Sequence, residues 1–157
     1  MKADVRLQPN TICRIISLGV NPNVRKRLTQ MGILPGLEVT IVRVGPLGDP
    51  VEISIPPGQN IALRREEVKS LDCKVVALAL IAASPGPATY RVRELLGGMG
   101  FQRKMIDRGL AVDATLKVEE VYPYRLYLLP DGPFVTVGRG EAEKLLLELL
   151  EQGHEHA

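Results

Sequence analysis

The chain has 157 residues, 45% hydrophobic and 24% charged, a length that suits one medium domain or two small ones with modest cores. Its net charge of +2 is too small for a chain built mainly to neutralise a nucleic-acid backbone. That charge is also divided, with 11 Lys and Arg against 7 Asp and Glu in residues 1–77, and 9 against 11 in residues 78–157.

The first ten residues, MKADVRLQPN, lack the apolar core of a signal peptide, and the longest apolar run, residues 75–83, is about half of what a membrane-spanning helix needs. A cytoplasmic protein that does not span the membrane is expected. The two cysteines, Cys13 and Cys73, have no metal-type spacing and read as buried thiols in a reducing compartment.

In chain order, residues 11–16 form a first strand, and Asn21-Pro22 then opens a helix, with Asn as cap and Pro in the first turn where its missing N–H costs nothing. Val24, Leu28 and Met31 share one helix face, and Gly32 stands where a left-handed residue ends the helix. The outer face carries Arg25, Lys26 and, in part, Arg27; it reads either as a solvated basic face or as a docking patch for an acidic partner. Residues 38–44 and 51–55 are two strands rich in β-branched residues, joined by Gly45-Pro46-Leu47-Gly48-Asp49-Pro50. Two glycines and two prolines make that connection a shaped turn. Residues 61–63 give a fourth strand, residues 64–71 a short helical turn and residues 71–76 a fifth strand. Five short strands with one helix after the first suit a small closed barrel, since closure removes unprotected edges.

The second half repeats the first. At an offset of 77, Ile15 meets Val92, Leu28 meets Met105, Gly32 meets Gly109 and Val39 meets Leu116; beyond the turn the offset is 74, so that Gly58 meets Gly132, Arg65 meets Arg139 and Glu67 meets Glu141. Three residues are lost at the turn. Pro35-Gly36 becomes Val112-Asp113, and GPLGDP shrinks to the neighbourhood of Tyr122-Pro123-Tyr124-Arg125. All six aromatics, four Tyr and two Phe, lie in this second half. Tyr122, Tyr124 and Tyr127 read either as a stacking or proline-binding platform or as rings that cover the barrel. Residues 141–152 hold Leu145, Leu146, Leu147, Leu149 and Leu150 and are expected to form a C-terminal helix, packed on its own domain or against another copy of the chain.

The order NPNVRKRLTQMG, ILPGLEV, VGPLGDPVEI and IALRREEV resembles the FeoA domain, a small cytoplasmic barrel of the SH3 type found beside the bacterial ferrous-iron permease FeoB. The first copy carries the resemblance along nearly its whole length; the second keeps the hydrophobic skeleton and Gly109 and Gly132. The resemblance implies a mainly β protein of two tandem SH3-like barrels, residues 1–77 and 78–157. It also implies an accessory role exerted by contact with the permease. The docking residues expected are Arg25 and Lys26 with Pro46, Leu47, Gly48, Asp49 and Pro50, and the structural glycines are Gly32, Gly36, Gly58, Gly109 and Gly132. The alternative is an SH3-like regulatory module of a metal-responsive or nucleic-acid-binding system.

Catalysis is not expected: the sequence has no P-loop, GxSxG or HExxH motif, and no His precedes residue 154 to serve as a base for Cys13 or Cys73. The adjacent carboxylates Glu66-Glu67 and Glu119-Glu120 read as solvated. Nucleic-acid binding is not expected either, because cations and aromatics gather in different halves. No cofactor and no preformed metal site are foreseen, His154 and His156 offering at most a weak adventitious one.

Overall fold

The computed structural model describes residues 7–150, in two compact units that divide between Val76 and Ala77. Unit 1 runs β1 (Ile12–Ser17), α1 (Pro22–Gln30), β2 (Glu38–Val44), β3 (Val51–Ile55), β4 (Gln59–Leu63), α2 (Arg65–Ser70) and the start of β5 (Asp72–Ala79). The two strands around the Gly/Pro turn fall where the β-branched runs place them, because such residues fit a half-buried pleated surface and Gly and Pro stop them.

The strands of unit 1 pair in the order β4-β3-β2-β1-β5. Cys13 lies opposite Val39, and Ile41 opposite Ile53; β2 then bulges, so that Arg43 faces Glu52. The ladder is open, which corrects the closed barrel expected from the sequence. Among the described residues β4 and β5 are its two ends, and the chain passes between them through α2, which adds Val68 to the core instead of a closing row of hydrogen bonds. That core is wholly aliphatic and sulfur-bearing: Cys13, Ile15, Leu28, Ile33, Val39, Ile41, Val51, Ile53, Leu63 and Leu71 are almost completely buried.

Unit 2 repeats the plan: the end of β5, β6 (Thr89–Leu95), α3 (Met99–Asp107), β7 (Thr115–Glu120), β8 (Tyr124–Leu128), β9 (Phe134–Val137), α4 (Arg139–Ala142) and β10 (Leu145–Leu149). β10 pairs with residues 77–79 on one side and with β6 on the other, followed by β7, β8 and β9. The C-terminal helix expected over residues 141–152 is therefore not formed. Only the four residues of α4 are helical, and the leucines continue as a strand with Leu145, Leu146 and Leu147 all buried. A continuous apolar run fits a strand with neighbours on both edges as well as a buried helix, and here the pairing to β6 decides it.

The ladder also relocates the length change between copies. Thr40 opposite Ser54 corresponds to Lys117 opposite Tyr127, so the offset falls from 77 to 73 across this turn. Ser54 opposite Asn60 corresponds to Tyr127 opposite Phe134, which restores 74. Four residues are lost at the first turn and one is regained at the second.

Both long helices end alike. The N–H of Gly32 donates to Thr29 and that of Ile33 to Leu28; the N–H of Gly109 donates to Ile106 and that of Leu110 to Met105. This paired closure requires a left-handed residue after the helix, and φ is +91° at Gly32 and +88° at Gly109. Buried Ile33 and Leu110 then turn the chain into the core.

Candidate partner-docking face

The turn of residues 45–50 is held from both ends. The N–H of Gly45 donates to the carbonyl of Pro50 at 2.8 Å, continuing the β2–β3 ladder, and Pro46–Gly48 forms one tight helical turn closed by Gly48 N–H to Gly45 O at 3.0 Å. A Cβ on Gly45 would lie 2.6 Å from the Asp49 carbonyl oxygen, so only glycine fits there. Leu47 takes a left-handed conformation, φ +59° and ψ +23°, unusual for a branched residue, and is 93% exposed. The Arg65 guanidinium donates to the Leu47 carbonyl at 2.9 Å and so ties the tip to α2.

Helix α1 starts as expected: the Asn21 side-chain oxygen accepts from the N–H groups of Asn23 and Val24, and Pro22 occupies the first position. Leu28 is the buried residue of the helix, while Arg25 and Lys26 on its other side are exposed and form no ion pair with another described residue. Arg27 is different. Its Nε lies 2.7 Å from a carboxylate oxygen of Glu67, a residue only 2% exposed. The other Glu67 oxygen accepts from the Arg64 N–H at 2.8 Å, capping the start of α2. Glu67 is thus corrected from a solvated carboxylate to the buried clamp between α1 and α2; it needs Arg27 because a charge removed from water must be paired.

Helix α2 is linked both to the turn and to α1. Arg65 joins α2 to the turn and Glu67 joins it to α1; Arg64, Arg65, Glu66 and Lys69 are exposed. Sequence reasoning did not assign Arg65 and Glu67 these roles. The signal available was their recurrence as Arg139 and Glu141: in unit 2, Glu141 caps the Gly138 N–H at 2.9 Å and pairs with Lys104 at 3.0 Å and Arg108 at 2.8 Å. Its carboxyl is held at about 2 against an ordinary value of 4.5, by the Gly138 N–H first and then by the two cations.

No catalytic arrangement emerges among the described residues. Cys13 and Cys73 are free and buried; their mutual interaction, aided by burial, pushes the Cys13 thiol far up and lowers that of Cys73, and no His lies among the described residues to act as a base. No group of three or more His, Cys, Asp or Glu that could hold a metal occurs among the described residues, and His154 and His156 lie outside them. No helix among the described residues is long and apolar enough to cross a membrane.

Residues 5–75, essentially unit 1, match the family model of the FeoA domain. Among solved structures, iron(II) transport protein A from Clostridium thermocellum is 34% identical, with a TM-score of 0.52, and the alignment covers 100% of this chain and 93% of that one. An iron uptake regulatory protein (FeoA) is 27% identical over 47% of this chain and 97% of its own, TM-score 0.43. A Pseudomonas aeruginosa protein is 36% identical over 43% of this chain and 92% of its own, TM-score 0.37. The family model covers the unit that carries the pinned turn and the α1–α2 clamp; together with the 34% identity to the clostridial protein, this places the chain in the FeoA family.

Proposed function

We propose that this protein is a non-enzymatic cytoplasmic accessory of ferrous-iron uptake that acts by docking a FeoB-type permease through unit 1. Arg25 and Lys26 on α1 and the turn of Pro46, Leu47, Gly48, Asp49 and Pro50 form the contact. The observation that carries this reading is the turn itself. A branched side chain held 93% exposed in a left-handed conformation, pinned by Arg65 and the Gly45–Pro50 bond, gains nothing for the isolated fold. A partner's apolar pocket would give it a place, and the surrounding cations suit an acidic rim. The name of the clostridial relative, an iron(II) transport protein, supports the transport context. Unit 2 is a divergent copy of the domain that keeps the clamp, while its shorter turn presents Tyr122, left-handed and 76% exposed, in place of Leu47.

Capture of the permease's cytoplasmic domain by the full chain tests this. Reversing both charges, Arg25→Glu with Lys26→Glu, is expected to slow association about tenfold at low salt, with the difference shrinking as salt is added. Leu47→Asp is expected to raise the dissociation rate instead, because a central apolar anchor acts there. Unchanged capture at low salt by both variants would reassign the face to plain solubility.

A further inference from the structure

The outer surface of β2 and β3 carries a pocket of about 280 Å³, lined by Glu38, Thr40, Ser54, Pro56, Pro57 and Gly58. Glu38 on its rim is already balanced by Arg14, 2.9 Å away, so the pocket does not call for a cation. Its small volume suits one side chain better than a drug-sized ligand.

Unit 2 shows what the same site looks like when filled. Ser54 corresponds in the ladder to Tyr127, and Gly58 to Gly132. The Tyr127 ring lies over Gly132 so closely that a Cβ there would be 2.6 Å from it, whereas a Cβ on Gly58 would meet nothing within 4 Å. The Tyr127 hydroxyl is 3.5 Å from the carbonyl of Pro130 in the same turn, and its ring packs 5.1 Å from Phe134. Unit 2 therefore plugs the site with its own phenol. Unit 1 has a serine in place of the plug, and its turn, one residue shorter, presents Pro56, Pro57 and Gly58 with the hydroxyls of Thr40 and Ser54 beside them.

We infer that the unit 1 pocket is a binding site for a tyrosine side chain presented by a partner, seated over Gly58 as Tyr127 sits over Gly132. A tyrosine matches both parts of the wall, its ring on the proline–glycine surface and its hydroxyl among polar groups. The site lies on the β2–β3 surface, and its existence does not depend on docking through α1 and the turn.

The probe is N-acetyl-tyrosinamide, followed by amide NMR of the full chain. One side chain in an open pocket should bind with a millimolar Kd. Saturable shifts confined to Thr40, Ser54 and Gly58 are expected, and N-acetyl-leucinamide should give less than a third of them. Ser54→Tyr should abolish the shifts and move the Gly58 amide by the ring current that Gly132 already feels. Tyr127→Ser should do the reverse, opening a second saturable site at Gly132; this arm stands even if the first variant misfolds. Non-saturable or scattered shifts in the unmodified chain, equal response to leucinamide, or no new response at Gly132 in Tyr127→Ser would each overturn the assignment. The permease takes no part, so failure here leaves the docking reading intact, and failure of capture leaves this one intact.

Discussion

Between the opposed residues Thr40 and Ser54 unit 1 threads a long connection that ends in the pinned, outward Leu47; between Lys117 and Tyr127, at the same place in the ladder, unit 2 takes four residues fewer and presents Tyr122 instead, also left-handed at φ +59° and 76% exposed. Beneath that difference the units agree closely. Ile15, Leu28, Ile33, Ile41, Ile53 and Leu63 are buried in one, and Val92, Met105, Leu110, Val118, Leu126 and Val137 in the other. Both strand pairs bulge at the same point, where Arg43 faces Glu52 in unit 1 and the signs are exchanged as Glu120 facing Arg125 in unit 2. Core positions are constrained by packing from every side, whereas a turn or an outer face meets only water until a partner arrives. The comparison thus separates what the fold needs, the skeleton and the helix clamp, from what unit 1 has in addition.

The sharpest way to break the equivalence of the skeletons is to empty both cores at the same spot. Leu28→Ala and Met105→Ala should each cost about 3.5 kcal/mol, since both side chains are fully buried at the closing turn of a helix. Urea unfolding followed residue by residue by hydrogen exchange would show each loss in its own unit; a cost in one unit only would end the equivalence.

The clamp of unit 2 sets two cations on one carboxylate, and acid should reveal what they contribute. Glu141 keeps its charge in the folded unit down to about 2 while the unfolded carboxyl takes up its proton near 4.5. Unit 2 therefore has this contribution in full above pH 4.5 and loses it as the pH falls towards 2, a total of about 3 kcal/mol. Glu141→Gln should flatten that part of the stability profile, and a carboxyl titration midpoint above 4 for Glu141 would remove the basis of the prediction.

A smaller effect compares the two helix-ending glycines. Gly32→Val should cost about 1–2 kcal/mol from the left-handed backbone alone, because space around it is open. Gly109→Val should cost about as much, since the only atom its Cβ would crowd, at 2.9 Å, is the terminal Cδ1 of Leu128, which can swing aside. Thermal unfolding of the two variants checks this, and a loss below about 0.5 kcal/mol at either would contradict the left-handed helix end.

The smallest expected effect concerns the longer turn of unit 1. Arg65→Ala removes the bond to the Leu47 carbonyl and should lower global stability by only about 0.5 kcal/mol, the bond being exposed. Hydrogen exchange at Gly48 and Asp49 should quicken while the core stays protected; a change spread over unit 1 would show Arg65 to be a general support and not a support of the tip.

What the sequence by itself determined is what short-range chemistry controls. The bounds of β2 and β3, the Asn21-Pro22 start of α1 and its end at Gly32 follow from β-branched runs, a side-chain cap and a residue that tolerates positive φ, each acting within a few residues. The repeat was legible for the same reason, as a recurring hydrophobic spacing. Only the tertiary structure decided the rest. The leucines of residues 145–149 suit helix and strand alike until β6 and the end of β5 offer them hydrogen bonds. Glu67 reads as solvated beside Glu66 until Arg27 from another helix meets it. The open ladder, and the ring of Tyr127 over Gly132 where unit 1 has only a serine, depend on residues brought together across strands, and no local pattern encodes who will stand opposite whom.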